Sequence, residues 1–300
     1  METSDEWITT RTGIKERRIV SKNEAASDLA YHAAKKALRR AGIKPHDVEL
    51  IVVATITPDT QFPSTACYVQ KFLGAKKACC FDISAACSGF VYALVTAQGL
   101  IASGIYKNAL VVGSEVLSSI TDWQDRSTCV LFGDGAGAAV LTRCSSGGIL
   151  SSYLGSNGSL GELLILPAGG SRLPASEETV RKKQHCIKME GRELFKHAVR
   201  IMVDAAQRAL RSAEVKAEDV KWLIPHQANL RIINAVAERL GIPQERIYVN
   251  IDKYGNMSSA STAVALCEVY EKKNLQKGDI LVLDTFGGGL VWGACVIEWI

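Results

Sequence analysis

Strands alternating with helices, laid out in two similar copies, predict an α/β protein built from two related halves. Three observations carry this reading. Apolar strand-like runs alternate with helix-like stretches along most of the chain. Residues 33–48 (AAKKALRRAGIKPHDV) and 205–220 (AAQRALRSAEVKAEDV) are identical at nine of sixteen positions at a constant offset of 172, and an apolar strand pattern follows each copy. Each half also closes on a glycine-rich run, FGDGAGAAVL from Phe132 and FGGGLVWGACVI from Phe286. The halves are read as 1–146 and 147–300, and 300 residues exceed one simple core.

In the first half, small and apolar residues recurring every three or four positions predict a helix over 24–41, ending at Gly42. The continuously apolar run at 48–56 predicts a strand covered on both faces. Strands follow at 78–84, 108–114 and 136–143, with a helix over 87–103. In the second half a strand is expected at 148–154, a helix over 191–213, a strand ending in WLIP and a helix from about Asn229. The stretch 157–186 has no clear period and reads either as a cap over a pocket or as a surface loop.

Composition narrows the function. A 47% hydrophobic and 22% charged chain is ordinary for a globular protein. No apolar run reaches the ~20 residues of a membrane span, and METSDEWITTRTG lacks a secretory pattern. Nine scattered cysteines without CxxC spacing predict free thiols in the cytoplasm, with no disulfide framework and no metal site. The net charge of +4 is spread without a basic tract, which argues against nucleic acid.

Four places can carry chemistry. In DISAACSGF a strand ends, a small-residue turn follows and a helix begins at Cys87. The positive end of a helix stabilises a thiolate, so a lowered thiol pKa is expected there. Cys79, Cys80, Cys129 and Cys295 lie in apolar runs and read as inert core thiols. His226, in LIPHQANLR, follows a strand and precedes a helix, a placement that suits function in an α/β fold; a structural histidine capping the turn is the other reading. Asn256, in DKYGNMSSAS, is either a cap or a functional amide. Three consecutive glycines in TFGGGLVWG suggest a close backbone approach to a ligand, or a tight hairpin. Gly133, Gly135 and Ala138 nominally fit a dinucleotide fingerprint, but a strand-like run follows where a helix is required, so a dinucleotide is rejected.

Cysteine, histidine and asparagine in that order, in DISAACSGF, PHQANLRI and YGNMSSAS, resemble the type III β-ketoacyl-acyl-carrier-protein synthases of the thiolase superfamily. The resemblance extends through TSDEWITTRTGI, FPSTACYVQ, DRSTCVLFGDGAGA, GRELFK and FGGGLVWG. It implies a thiolase-like fold, layered α-β-α-β-α. It also implies a decarboxylative condensation of a short acyl-CoA with malonyl-acyl-carrier protein, through an acyl-Cys87 intermediate. His226 and Asn256 would then stabilise the malonyl enolate. The N–H groups of Cys87 and Gly288 would form an oxyanion hole, and Phe286 would give the malonyl carboxylate an apolar neighbour. Thr3, Trp7, Arg11, Arg126 and Asn229 match coenzyme A or pantetheine contacts, with the adenine held between Trp7 and Arg126. Phe62 and Leu131 match the acyl pocket, Phe62 reaching into a dimer partner; Arg192 stands where the family has a tunnel asparagine. Further implications are a homodimer and an acidic carrier protein. The two-fold interface is expected near 108–114 and Phe62, and the carrier protein's landing patch at Arg192, Lys196, Arg231 and Arg239. No metal or redox cofactor is implied. Two other readings are a related condensing enzyme of a secondary pathway and an inactive or truncated homologue that only binds a partner. Finally, the duplication gives the second half a leading strand at 148–154 that residues 1–23 do not supply. Members of the family carry about 25 more N-terminal residues. The expectation is a truncated form whose first sheet has a vacancy beside 48–56.

Overall fold

The computed structural model describes residues 3–300. The first half runs α1 (Asp5–Thr12), α2 (Ala26–Ala41), β1 (Leu50–Ala54), α3 (Thr65–Leu73), β2 (Cys79–Ile83), α4 (Gly89–Ala102), β3 (Asn108–Val116), α5 (Arg126–Cys129) and β4 (Asp134–Thr142). The second runs β5 (Gly148–Ser156), β6 (Leu164–Ile165), α6 (Glu177–Arg181), β7 (Lys188–Met189), α7 (Gly191–Ser212), β8 (Val220–Pro225), α8 (Leu230–Leu240), α9 (Ile251–Tyr254), α10 (Ser259–Lys272), β9 (Ile280–Gly287) and β10 (Val291–Glu298). The expected long helices and strands are present within a few residues of their sequence bounds. The stretch 157–186 is neither a bare loop nor one element. It holds a 3₁₀ turn over Gly158–Leu163, the short strand β6 and α6.

Two four-stranded sheets form, ordered β2-β1-β3-β4 and β5-β10-β9-β8. β1 is parallel to β2 and β3, and β4 runs antiparallel to β3. In the second sheet β8 and β9 are parallel, and β10 runs antiparallel to β9. Thus β1, β3 and β4 correspond to β8, β9 and β10.

The layers follow from side-chain alternation. Along β1, Ile51 and Val53 face Ala30, Ala34 and Leu38 of α2, while Leu50 and Val52 face Phe90 and Leu94 of α4. Along β9, Leu281 and Leu283 join that same central layer, while Val282 and Phe286 pack on Ala198, Met202 and Ala205 of α7. The order is therefore α2/α3, first sheet, α4/α10, second sheet, α7/α8. All five β1 residues are fully buried, and each Leu, Ile or Val so placed contributes ~1.5–3 kcal/mol. α2 starts where Asp28 accepts from the Ala25 N–H at 2.9 Å and stops at left-handed Gly42.

Several expectations need correction. β3 lies inside its sheet, paired along both edges, so the stretch 108–114 cannot supply a two-fold seam through its edge. The free edge nearest Phe62 and α3 belongs to β2. Because β2 is an edge strand, Cys79 is exposed and Cys80 half-buried, whereas Cys129 and Cys295 are core thiols as read. The expected vacancy beside 48–56 is absent, since β1 is paired on both sides. The asymmetry between halves lies elsewhere. β5 pairs with the outer edge of β10, whereas no described strand pairs with the outer edge of β4. A groove of about 990 Å³ runs along that edge, lined by residues of α2, β4, α4 and α10.

Candidate active site

Cys87 occupies a single 3₁₀ turn, Ala86–Ser88, between β2 and α4. The turn is pinned from the other half: Ser88 donates to the Val291 carbonyl at 3.2 Å. It is also pressed close, because a Cβ added to Gly287 would lie 2.7 Å from the Cys87 nitrogen. Only a glycine at the end of β9 permits that approach. The thiol is buried, and burial pushes its pKa up to about 12, although Ser258 acts to lower it. The expected lowering from the helix end is outweighed by loss of solvent around the thiolate.

His226 follows β8 directly, and its N–H donates to the Asp284 carbonyl of β9 at 2.7 Å. Its ring is buried with no hydrogen-bond partner at either nitrogen. Burial lowers its pKa to about 3, so the imidazole stays neutral. A stability effect follows. The unfolded chain binds the proton near pH ~6.5 and the native ring does not. The stabilisation is complete above that pH and is lost as pH falls toward 3. At pH 5 this one group costs ~2 kcal/mol relative to neutrality. His226→Gln is expected to flatten the acid limb of a urea-unfolding series between pH 7 and 5; an unchanged limb would contradict a neutral buried ring.

Asn256 is placed by strand-like contacts with the Leu131–Gly133 segment. Its N–H donates to the Leu131 carbonyl at 2.8 Å, and its own carbonyl accepts from Gly133 at 3.0 Å. Its Oδ1 accepts from the Ser258 N–H at 2.8 Å, which leaves the amide NH₂ as its donor end. Cys87 and His226 therefore both lie against the end of β9, and the Asn256 turn precedes α10, which packs beside the cysteine turn. Gly287 packs on the cysteine, Asp284 holds the histidine backbone, and the asparagine turn leads into Ser259, whose side chain lies against Gly89 two residues after the cysteine.

Phe286 is buried beside α7. Gly288 begins the turn to β10, its Cα against Leu164. Leu131 is half-buried behind Asn256, and Phe62 is 86% exposed. Trp7 gathers Arg11 and Arg126, whose guanidinium carbons lie 4.8 and 4.7 Å from the ring centre. An intervening base would need about 7 Å, twice a ~3.5 Å contact, so Arg126 must draw back to admit one. Asn229 caps α8 and donates to the Arg11 carbonyl at 3.2 Å, tying α1 to α8. Thr3 is exposed just ahead of α1. Arg192 and Lys196 are exposed in the first turns of α7, Lys196 paired with Glu193. Arg231 is exposed at the start of α8, but Arg239 lies ~12 Å further along that helix, away from the Asn229 end. Ser258 and Glu115 escaped the sequence reading, and Gly287 entered it only as part of the triple glycine. One carboxylate at the end of the apolar run NALVVGSEV was the available signal for Glu115.

Among the described residues no cluster of His, Cys, Asp or Glu could hold a metal, and no helix is long and apolar enough to cross a membrane.

Residues 81–158 match the family described as 3-oxoacyl-[acyl-carrier-protein (ACP)] synthase III, and residues 210–299 match its C-terminal region. The chain is 56% identical over 300 residues to the β-ketoacyl-[acyl-carrier-protein] synthase III of Caldanaerobacter subterraneus subsp. tengcongensis, covering 100% of this chain and 91% of that one. The chain belongs to the β-ketoacyl-[acyl-carrier-protein] synthase III family. The Clostridioides difficile member is 55% identical over 299 residues, again 100% and 91% covered. The crystal structure of the Aquifex aeolicus VF5 synthase superposes with a TM-score of 0.91 at 52% identity, over 99% of this chain and 92% of that one. A priming β-ketosynthase of the R1128 polyketide pathway also superposes at 0.91, at 35% identity, over 99% and 88%.

Proposed function

We propose that Cys87, His226 and Asn256 carry the family's condensation in this chain, which makes it the initiating condensing enzyme of type II fatty-acid synthesis. The observation that supports the assignment of roles is the packing of Cys87 and His226 on the end of β9, with the Asn256 turn leading into α10 beside the cysteine turn. Cys87 takes the acyl group from a short acyl-CoA, the tetrahedral oxygen being held by the N–H groups of Cys87 and Gly288. Malonyl-acyl-carrier protein then loses CO₂, and the carbanion attacks the acyl-cysteine to give 3-oxoacyl-acyl-carrier protein. A neutral His226 and the free amide end of Asn256 both present N–H donors to the enolate oxygen. A neutral donor suits a site beside apolar Phe286, where a buried cation would be costly. The secondary-pathway reading rests on the polyketide relative, whose identity is lower than that of the fatty-acid members.

Coenzyme A would lie across Trp7, Arg11 and Arg126, reaching inward past Asn229. The enzyme would act in the cytoplasm as a homodimer joined along the free edge of β2, with Phe62 entering the partner's acyl pocket. The reaction needs no metal or redox cofactor. Intact-mass measurement after mixing with acetyl-CoA tests the reading: one acyl group on Cys87 is expected. No adduct with any short acyl-CoA would favour a binding-only homologue.

The carrier protein would dock on Arg192, Lys196 and Arg231. Arg231→Glu is expected to raise KM for malonyl-carrier protein about five-fold (~1 kcal/mol), with little change for acetyl-CoA. Equal damage to both substrates would point to misfolding instead.

A further inference from the structure

The outer edges of β4 and β10 occupy equivalent places in the two sheets. Leu110 of β3 stands opposite Val140 of β4, and Val282 of β9 stands opposite Val296 of β10. Leu110 and Val282 are 172 positions apart, the offset of the sequence repeat. Ala138 and Val140 therefore correspond to Ala294 and Val296. On β10 the outer edge carries β5, and Ala294, Cys295 and Val296 are fully buried. On β4 the outer edge opens onto the groove of about 990 Å³, and Ala138, Ala139 and Val140 are half-buried along it. A strand edge left in this way offers a row of N–H and C=O groups for pairing.

The contacts of β5 define what such an edge holds. Ser151 stands opposite Val296 and donates its hydroxyl to the Ala209 carbonyl of α7 at 2.6 Å. Tyr153 stands opposite Ala294, and the Arg208 guanidinium carbon lies 5.0 Å from its ring centre. Through the repeat, Arg208 and Ala209 correspond to Lys36 and Ala37 of α2. Lys36 and Ala37 line the groove, and Ala37 packs with Ala138 and Val140 on the α2 face of the sheet. The groove thus presents a cation and a helix carbonyl where α7 meets an aromatic ring and a hydroxyl.

Among the described residues every strand is already placed in a sheet, so an occupant for this edge is one offered by a separate chain. We propose that the groove binds an extended peptide strand of another polypeptide, antiparallel to β4 in the register that β5 holds on β10. That strand carries a hydroxyl residue opposite Val140 and, two positions on, an aromatic residue opposite Ala138. Main-chain hydrogen bonds to the β4 edge supply affinity, and the alternate side chains facing α2 supply specificity. A slip of one residue turns the ring away from Lys36 and toward α10. None of Cys87, His226 and Asn256 lines the groove, so this site is separate from the candidate active site.

The test uses the whole chain and a fluorescein-labelled peptide of the sequence at 148–156, GILSSYLGS, which has the hydroxyl and the ring at the required spacing. Fluorescence anisotropy reads binding, and hydrogen exchange followed by mass spectrometry reads its place. Saturable binding is expected, with slowed exchange confined to β4 and the flanking face of α2. A peptide with alanine at the place of Tyr153 is expected to bind about ten-fold more weakly, because the ring area is no longer buried. Lys36→Ala is expected to weaken the parent peptide about three-fold and to leave the alanine peptide unchanged, since cation and ring act as a pair. Lys36 is exposed on α2, so its truncation leaves the core untouched, and a thermal midpoint checks this. A Lys36→Ala effect equal for both peptides overturns the register. No binding, equal binding of a scrambled peptide, or protection at the free edge of β2 overturns the site. So does protection of β4 that appears without peptide as protein concentration rises, which assigns the edge to a second copy of this chain.

Discussion

Cys87→Ala is expected to take up no acyl group from acetyl-CoA, whereas His226→Ala and Asn256→Ala should still become acylated. The two half-reactions develop charge on different oxygens. In acylation the negative charge gathers on the acyl-CoA carbonyl, next to the Cys87 turn. In decarboxylation it gathers on the malonyl thioester oxygen, next to His226 and Asn256. Losing one aligned donor costs ~3–4 kcal/mol at a developing oxyanion, so each of the latter variants should decarboxylate malonyl-carrier protein roughly 10²–10³-fold more slowly. Labelled CO₂ release read beside cysteine acylation separates the steps. Asn256→Ala with undiminished CO₂ release would remove the amide from the enolate site. The histidine's share should also be nearly independent of pH between 5 and 9, because its ring is neutral throughout.

Much of the architecture was legible because two periods are easily told apart. A continuous apolar run marked β1 as a strand covered on both faces, and the sixteen-residue repeat marked the halves. Strand order was not legible. The outer position in the second sheet is filled by β5 next to antiparallel β10, whereas a reading from chain order places it beside the first apolar strand. Nothing local in AVLTR says that β4 reverses direction and ends the sheet. Cys79 was misjudged for the same reason, since exposure at an edge strand depends on pairing rather than on the strand's own letters.

At the site, turns at strand ends pointed to Cys87, His226 and Asn256, and the family resemblance joined them. Electrostatic balance could not be read that way. A helix start next to Cys87 argues for an easily ionised thiol, but the thiol's depth decides otherwise. Depth comes in part from packing by Gly287, which lies 200 positions along the chain from Cys87. Similarly, Arg231 and Arg239 share roughly one face of α8 yet sit at opposite ends of it.

Gly287→Ala is expected to damage acyl transfer more than any other single-methyl change near the site. The added carbon would lie 2.7 Å from the Cys87 nitrogen, 2.8 Å from its Cβ and 3.2 Å from its Cα. Two of these atoms are backbone, and neither side yields easily. β9 is held by β8 and β10 on its two edges, and the cysteine turn is held by Ser88 on Val291. Relief therefore means a backbone shift, for which overpacking typically costs ~1–3 kcal/mol of stability. The same shift moves the Cys87 N–H, and an oxyanion donor acts only within ~2.7–3.1 Å of its target. Acylation by acetyl-CoA should fall about 10²-fold. Gly288→Ala is the control: its added carbon would meet the Leu164 carbonyl oxygen at 3.1 Å and the Leu164 side chain beyond, not the nucleophile. Its N–H is kept, so its loss should be much smaller. Stopped-flow acylation and urea unfolding of the pair read both quantities. Equal acylation rates in the two variants would mean that close packing of β9 against the cysteine turn does not set the oxyanion geometry.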